Sequence, residues 1–232
     1  MVKPTSNILL FIILLIIFDI SKSSIIATRW VELSLVVFLL LLFIVYGKQF
    51  DKKVLYLFFV WVIINVFSMI FFGSQLIVPR IVRIFLTLLF LPYLVLKNFG
   101  ISFWFKFERV IFSLTVISLP LYVLNIIFPE FFSSLQPIFK YLTRNAFYVA
   151  DSNSPYWSSI IYVNAIKIGS IFRNCGFMWE AGSFAMIIVW AIIFNWLTLG
   201  AKFDKRFFIY LTALITTFST AGYFALFFIL VA

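Results

Sequence analysis

Long uncharged apolar runs, broken by short basic segments, recur along this chain and constrain its fold more than any other feature. Val54 to Phe72, Val110 to Phe128, Ser183 to Leu199 and Phe207 to Ala232 contain no charged residue. A helix crossing a bilayer needs about 20 mostly apolar residues, and about 17 suffice. Composition points the same way. Hydrophobic residues make up 65% of the chain and charged residues 11%, against roughly 45–50% and 25% in globular domains. That leaves too little polar surface for a water-soluble globule, and disorder requires low hydrophobicity with high charge. Cys175 is the single cysteine and histidine is absent. Disulfide scaffolds, Cys- or His-built metal sites and imidazole bases are therefore excluded.

The expected architecture is an all-α polytopic transmembrane helix bundle of seven or eight spans, forming one transmembrane domain over residues 1–232. The first span runs from Thr5 to Ile20 behind Lys3. Its pattern also fits a signal peptide, but further spans follow at once and Ser21-Lys22-Ser23 makes a poor cleavage site. The next spans are Thr28 to Tyr46, Val54 to Phe72, Pro79 to Leu96 and Val110 to Phe128. Pro120 is expected to kink the last of these. A polar and aromatic extracytoplasmic loop follows over residues 129–182, expected to contain short helices. Ser183 to Leu199 forms the sixth span. The final apolar stretch is either one long tilted helix or two helices broken at Ser219-Thr220-Ala221-Gly222. It ends at Ala232 without a polar flank, which predicts that the functional protein continues further.

Net charge is +10, from 18 Lys+Arg against 8 Asp+Glu. The cations sit between apolar runs, where they orient helices and meet lipid phosphates, so nucleic acid is not an expected partner. Lys48, Lys52 and Lys53, then Lys97, Lys106 and Arg109, then Lys202, Lys205 and Arg206 occupy alternate loops. The positive-inside rule makes that side, and the N-terminus, cytoplasmic. Lys22, Arg29, Arg80 and Arg83 mark the opposite side.

The chemistry-bearing stretch is Phe172-Arg173-Asn174-Cys175-Gly176-Phe177-Met178-Trp179-Glu180-Ala181-Gly182-Ser183-Phe184-Ala185, at the outer mouth of the sixth span. Arg173 brings a planar cation suited to phosphate oxygens. Glu180 sits at a helix start, where a carboxylate is favoured. An Arg173–Glu180 ion pair tying the loop to the helix accounts for the same residues. Arg80 and Arg83 lie three apart, hence on one helix face, and share the outer side with Arg173. Residues of this kind either face a polar cavity or snorkel to lipid head groups; Arg80, nearer the helix end, fits snorkelling better. Tyr156 and Trp157 in the outer loop can stack on sugars, and they equally fit an interfacial aromatic belt. Phe103, Trp104 and Phe107 around Lys106 read as a cytoplasmic interface segment. Cys175 reads as a small packing residue.

The Arg173-to-Ala185 stretch, followed by Ser219-Thr220-Ala221-Gly222-Tyr223, resembles the O-antigen polymerase and ligase family, the Wzy-type membrane glycosyltransferases. Their pattern is Arg, Gly, an aromatic, Glu-Pro-Gly and Phe-Ala entering a helix, with a short Ser-(Arg or Thr)-Gly-like turn after the next helix. Ala181 stands where the family often has Pro, and the resemblance covers about residues 172–223. It implies polymerisation or ligation of undecaprenyl-pyrophosphate-linked oligosaccharide units for a surface polysaccharide, at the bacterial inner membrane. Arg173, Arg83, Arg80, Tyr156 and Trp157 would bind substrate, and Glu180 is the carboxylate available as catalytic base. No metal or cofactor is implied. The partners would be the lipid-linked oligosaccharide, membrane lipids and envelope polysaccharide assembly proteins. A transporter or flippase-like protein, or a non-catalytic component of an envelope assembly, also fits the hydropathy. The charged residues Asp19, Glu32, Glu108, Glu180 and Asp204 all lie near span ends, which disfavours proton-driven transport.

Overall fold

The structure is a computed structural model that describes residues 51–72, 91–132, 134–135, 161–163, 166–168, 171–178 and 180–231, with 10, 12–14, 16–17, 37 and 41. The chain is mostly helical and divides into two compact units, residues 1–3 with 30–103 and residues 4–29 with 104–232.

In the first unit, α1 (Lys52–Phe72) begins where the Asp51 carboxylate accepts a hydrogen bond from the Lys53 N–H at 2.9 Å. Leu57, Phe59, Val60, Ile63, Ile64, Phe67 and Phe71 along it are all exposed. α2 (Leu91–Phe99) closes at Gly100, whose φ of 51° lets its N–H reach the Leu96 carbonyl at 3.1 Å. This is a left-handed helix stop of the kind glycine favours.

α3 (Ile101–Ile127) enters the second unit at Trp104 and stays helical through Pro120. The segment expected as a mere interface patch is therefore the first part of this helix. Phe107 is buried, and Trp104 stacks on Phe194 with ring centroids 4.4 Å apart. The expected loop contributes a feature that a helical reading does not foresee. Two three-residue strands, β1 (Ile166–Ile168) and β2 (Ile171–Arg173), pair antiparallel with Ile166 opposite Arg173.

α4 (Ala181–Leu199) packs against both α5 (Lys205–Thr216) and α6 (Thr220–Val231). Phe184, Ala185, Ile188, Ala191 and Ile192 of α4 are wholly buried with Tyr210, Ala213 and Leu214 of α5. Ile12, Ile13 and Ile17, helical residues of the same unit, are buried too. Gly222 is required where α6 meets this core. A Cβ there would stand 2.7 Å from the Ala185 Cβ and 2.9 Å from Leu214 Cδ1. Small residues that let backbones approach closely are a recurring device of helix packing in membranes.

Among the described residues, two helices are long and apolar enough to cross a membrane, α3 and α4. That is fewer than the seven or eight runs in the sequence. The runs at residues 5–20, 28–46 and 79–96 lie mostly outside the described residues. The final stretch is interrupted: α5 and α6 have 12 residues each, about 18 Å of helix, against a hydrocarbon core of about 30 Å. The single tilted helix is thus excluded and the break at Ser219 is observed.

Candidate functional site

The site is built where α5 stops. A helix end leaves carbonyls without intrahelical donors, and here each finds one. The Ala213 carbonyl accepts from Thr216 Oγ1 at 2.7 Å, and the Leu214 carbonyl from Thr217 Oγ1 at 2.6 Å. The Ile215 carbonyl accepts from the Tyr223 hydroxyl at 2.8 Å. The last two are satisfied by the hairpin that precedes α4. The Asn174 N–H donates to the Thr216 carbonyl at 2.9 Å, and Arg173 Nε donates to the Thr217 carbonyl at 2.9 Å. Phe218 then takes φ 47°, an uncommon conformation for a non-glycine residue, and turns the chain toward α6.

Asn174 fixes the hairpin to this helix end. Its side chain is wholly buried and donates through Nδ2 to Thr216 Oγ1 at 3.0 Å, while its Oδ1 accepts from the Gly176 N–H at 2.9 Å. Gly176 has φ 55°, and its carbonyl accepts from the Val163 N–H. The Tyr122 hydroxyl, from α3, donates to the Phe172 carbonyl at 2.8 Å. The loop is thereby held from three directions: Val163, α3 and α5.

Arg173 is half-buried, and only its Nε is engaged. Among the described residues its two terminal nitrogens make no hydrogen bond or ion pair. The guanidinium rests at the C-terminal end of α5, where the helix dipole favours a cation. Tyr223 lies within electrostatic reach of it. The result is a planar cation locked at one nitrogen, with the rest of its fork open to two oxygens of an anion.

Glu180 occupies the N-cap position of α4, and its carboxylate accepts from the Ser183 hydroxyl at 3.0 Å. It forms no ion pair with Arg173, so the tie between those two residues does not occur. Cys175 is buried beside Val163 and Ala181, in keeping with a packing role. Arg80, Arg83, Tyr156 and Trp157 lie outside the described residues.

Residues missed from the sequence include Tyr122, Thr216 and Thr217. The last two had a signal, since Thr216, Thr217, Ser219 and Thr220 concentrate hydroxyls inside an apolar stretch. A second polar cluster was also missed. Glu108 on α3, 3% exposed, pairs with Arg206 on α5 at 2.7 Å and accepts from the Tyr210 hydroxyl at 2.8 Å. Arg206 also lies over the Phe112 ring, 5.1 Å from its centroid. No protein-family model, curated protein or solved structure matches this chain.

Proposed function

We propose that this chain is a multi-pass membrane protein of the lipid-linked glycan polymerase or ligase type, with Arg173 gripping the pyrophosphate of the donor. The observation that carries this is the half-engaged guanidinium. Its Nε is anchored on the Thr217 carbonyl at 2.9 Å while the terminal nitrogens have no protein partner among the described residues. The Nε bond meets the helix end's need for a donor, and the terminal nitrogens are left open.

The reaction places a growing glycan on its lipid pyrophosphate as donor. A hydroxyl of the next lipid-linked unit attacks the anomeric carbon. The new C–O bond forms as the bond to pyrophosphate breaks, and the lipid pyrophosphate leaves with the electron pair. The hydroxyl proton goes to a carboxylate, for which Glu180 is the candidate on the same loop. A fixed cation facing the leaving oxygens stabilises the charge that develops there. Arg83, Arg80, Tyr156 and Trp157 stay in this proposal as further substrate-binding residues, as the family resemblance implies; they lie outside the described residues.

The Glu108–Arg206 pair supports the topology, because it joins two basic segments assigned to the cytoplasmic side. The seven- or eight-span arrangement at the bacterial inner membrane, with a cytoplasmic N-terminus, belongs to the same proposal. From Arg206 to Thr217 the helix axis advances about 16 Å, roughly half of a 30 Å hydrocarbon core. The open fork then lies deeper than an outer mouth, in a recess reached from outside. Charged groups at such depth face protein or water-filled cavities and mark function.

The α5–α6 interruption favours a second reading, transport, since discontinuous helices build many transporter sites. One experiment addresses both. The purified full chain is titrated with undecaprenyl pyrophosphate and with undecaprenol, following tryptophan fluorescence. Hydrogen bonds to charged groups contribute about 1.5–3 kcal/mol, so Arg173→Gln should weaken pyrophosphate binding about 10- to 150-fold and leave undecaprenol unaffected. Polymer formation from lipid-linked units then distinguishes transfer from transport. Unchanged pyrophosphate affinity in Arg173→Gln rejects the site.

A further inference from the structure

We propose that the Glu108–Arg206 end of the second unit is a binding surface for anionic phospholipid headgroups, formed by Arg109, Lys202 and Lys205. The ion pair between α3 and α5 brings two cationic segments together that are far apart in sequence. Arg109 adjoins Glu108, and Lys205 adjoins Arg206. Arg109, Lys202 and Lys205 are exposed, and no side-chain hydrogen bond or ion pair engages them among the described residues.

The local carboxylates offset these cations only in part. Both Glu108 oxygens are taken, one by Arg206 and one by the Tyr210 hydroxyl. Asp204 caps α5, accepting from the Phe207 N–H at 2.9 Å and from Asn195 Nδ2 at 3.1 Å through the same oxygen. With Glu108 balanced by Arg206 and one carboxylate, Asp204, among three exposed cations, the cluster presents a net positive field.

The neighbouring apolar side chains identify the partner as lipid and not a soluble polyanion. Phe203 is 61% exposed and stands between Lys202 and Asp204. Trp196 donates its indole N–H to the Lys202 carbonyl at 3.1 Å and stacks on Phe207. Tryptophan at a cation-rich helix end, with an exposed phenylalanine alongside, is the arrangement that sits at the headgroup level. This inference needs the chain to be in a membrane and does not depend on the glycan chemistry.

The test is native mass spectrometry of the full chain in detergent, titrated with phosphatidylglycerol and with phosphatidylcholine. Each basic residue near an anionic surface contributes about 1 kcal/mol. Lys202→Gln/Lys205→Gln should therefore lower phosphatidylglycerol affinity about 30-fold and leave phosphatidylcholine unchanged. Lys52→Gln/Lys53→Gln, which removes the same charge from the first unit, should retain most of the affinity. Equal binding of the two lipids, or equal losses in the two double variants, overturns the proposal. So does equal binding of a polyglutamate peptide. Should the Lys202/Lys205 variant not remain monodisperse, the wild-type salt dependence decides. Phosphatidylglycerol binding must weaken as ammonium acetate rises, and salt-independent binding overturns the assignment.

Discussion

Placing a methyl group on Gly176 tests the geometry of the Arg173 loop directly. Gly176 has φ 55°, and an ideal Cβ there would lie 2.4, 2.5 and 2.7 Å from three ring carbons of Phe184. The Phe184 ring is wholly buried and packs edge-on against Phe177 with centroids 5.5 Å apart, so it has nowhere to withdraw. Two costs combine in Gly176→Ala. Left-handed backbone costs an L-residue about 1–2 kcal/mol, and overpacking a filled core costs about 1–3 kcal/mol. The sum is about 2–5 kcal/mol of destabilisation. A double-mutant cycle with Phe184→Leu separates them, because the smaller side chain frees the space while φ stays positive. Denaturant unfolding in micelles, followed by tryptophan fluorescence, should show Gly176→Ala costing only about 1–2 kcal/mol in the Phe184→Leu background. Identical costs in both backgrounds would refute the steric argument.

Two further outcomes follow from the hydrogen bonds. Thr216→Val removes the oxygen that accepts from Asn174 Nδ2 and leaves that buried donor unpaired, at a cost of about 1–3 kcal/mol. Thr216→Ser should restore stability and pyrophosphate affinity together, and a serine variant as weak as valine counts against Asn174 as the anchor. Glu108→Gln and Arg206→Gln, measured singly and together by thermal unfolding, should couple by about 1–3 kcal/mol. The Arg206 side chain is 35% exposed, so the loss stays below the roughly 3–5 kcal/mol of a fully buried broken pair. Additive effects would mean the contact contributes nothing.

Different parts of this architecture were legible for different reasons. The helices α1 and α4 could be read because uncharged runs state their own extent, whereas α3 begins nine residues before its uncharged run, at Ile101, with Lys106, Glu108 and Arg109 inside the helix. The interruption at Ser219 was one of two readings, and the hydroxyls around it decide the matter physically. A threonine can satisfy a carbonyl three residues back, as Thr216 and Thr217 do for Ala213 and Leu214, which makes a helix stop tolerable in apolar surroundings. The β1–β2 ladder had a signal that went unused. Gly169-Ser170 lies between Ile166-Lys167-Ile168 and Ile171-Phe172-Arg173, a hairpin pattern obscured by expecting only short helices in the 129–182 loop. Other features had no sequence signal. Glu108 meets Arg206 across 98 residues, and no local pattern tells a carboxylate on α3 to seek one particular distant arginine. The partner of Arg173 was misjudged for a related reason. Glu180 is close in sequence and opposite in charge, yet the carbonyls at the end of α5 held the stronger local claim on a donor.

That outcome bears on why a cation should be found there at all. A helix of 12 residues presents at its C-terminal end unmet carbonyls and the negative end of its dipole. Asn174 meets part of the demand with neutral donors. Arg173 meets the rest with Nε, and its charge balances the dipole. Once this is done, the outer edge of the guanidinium is surplus to the fold, and under the proposed membrane placement an open charge there points to function. The two roles are separable, because they use different nitrogens of one side chain. Arg173→Gln retains a donor for Thr217 while removing the open cation, so binding should fall much more than stability does. A purely structural arginine would lose stability and leave anion affinity unmoved. Comparing those two losses in the same variant therefore distinguishes a helix stop that happens to carry charge from a helix stop that exists to present it.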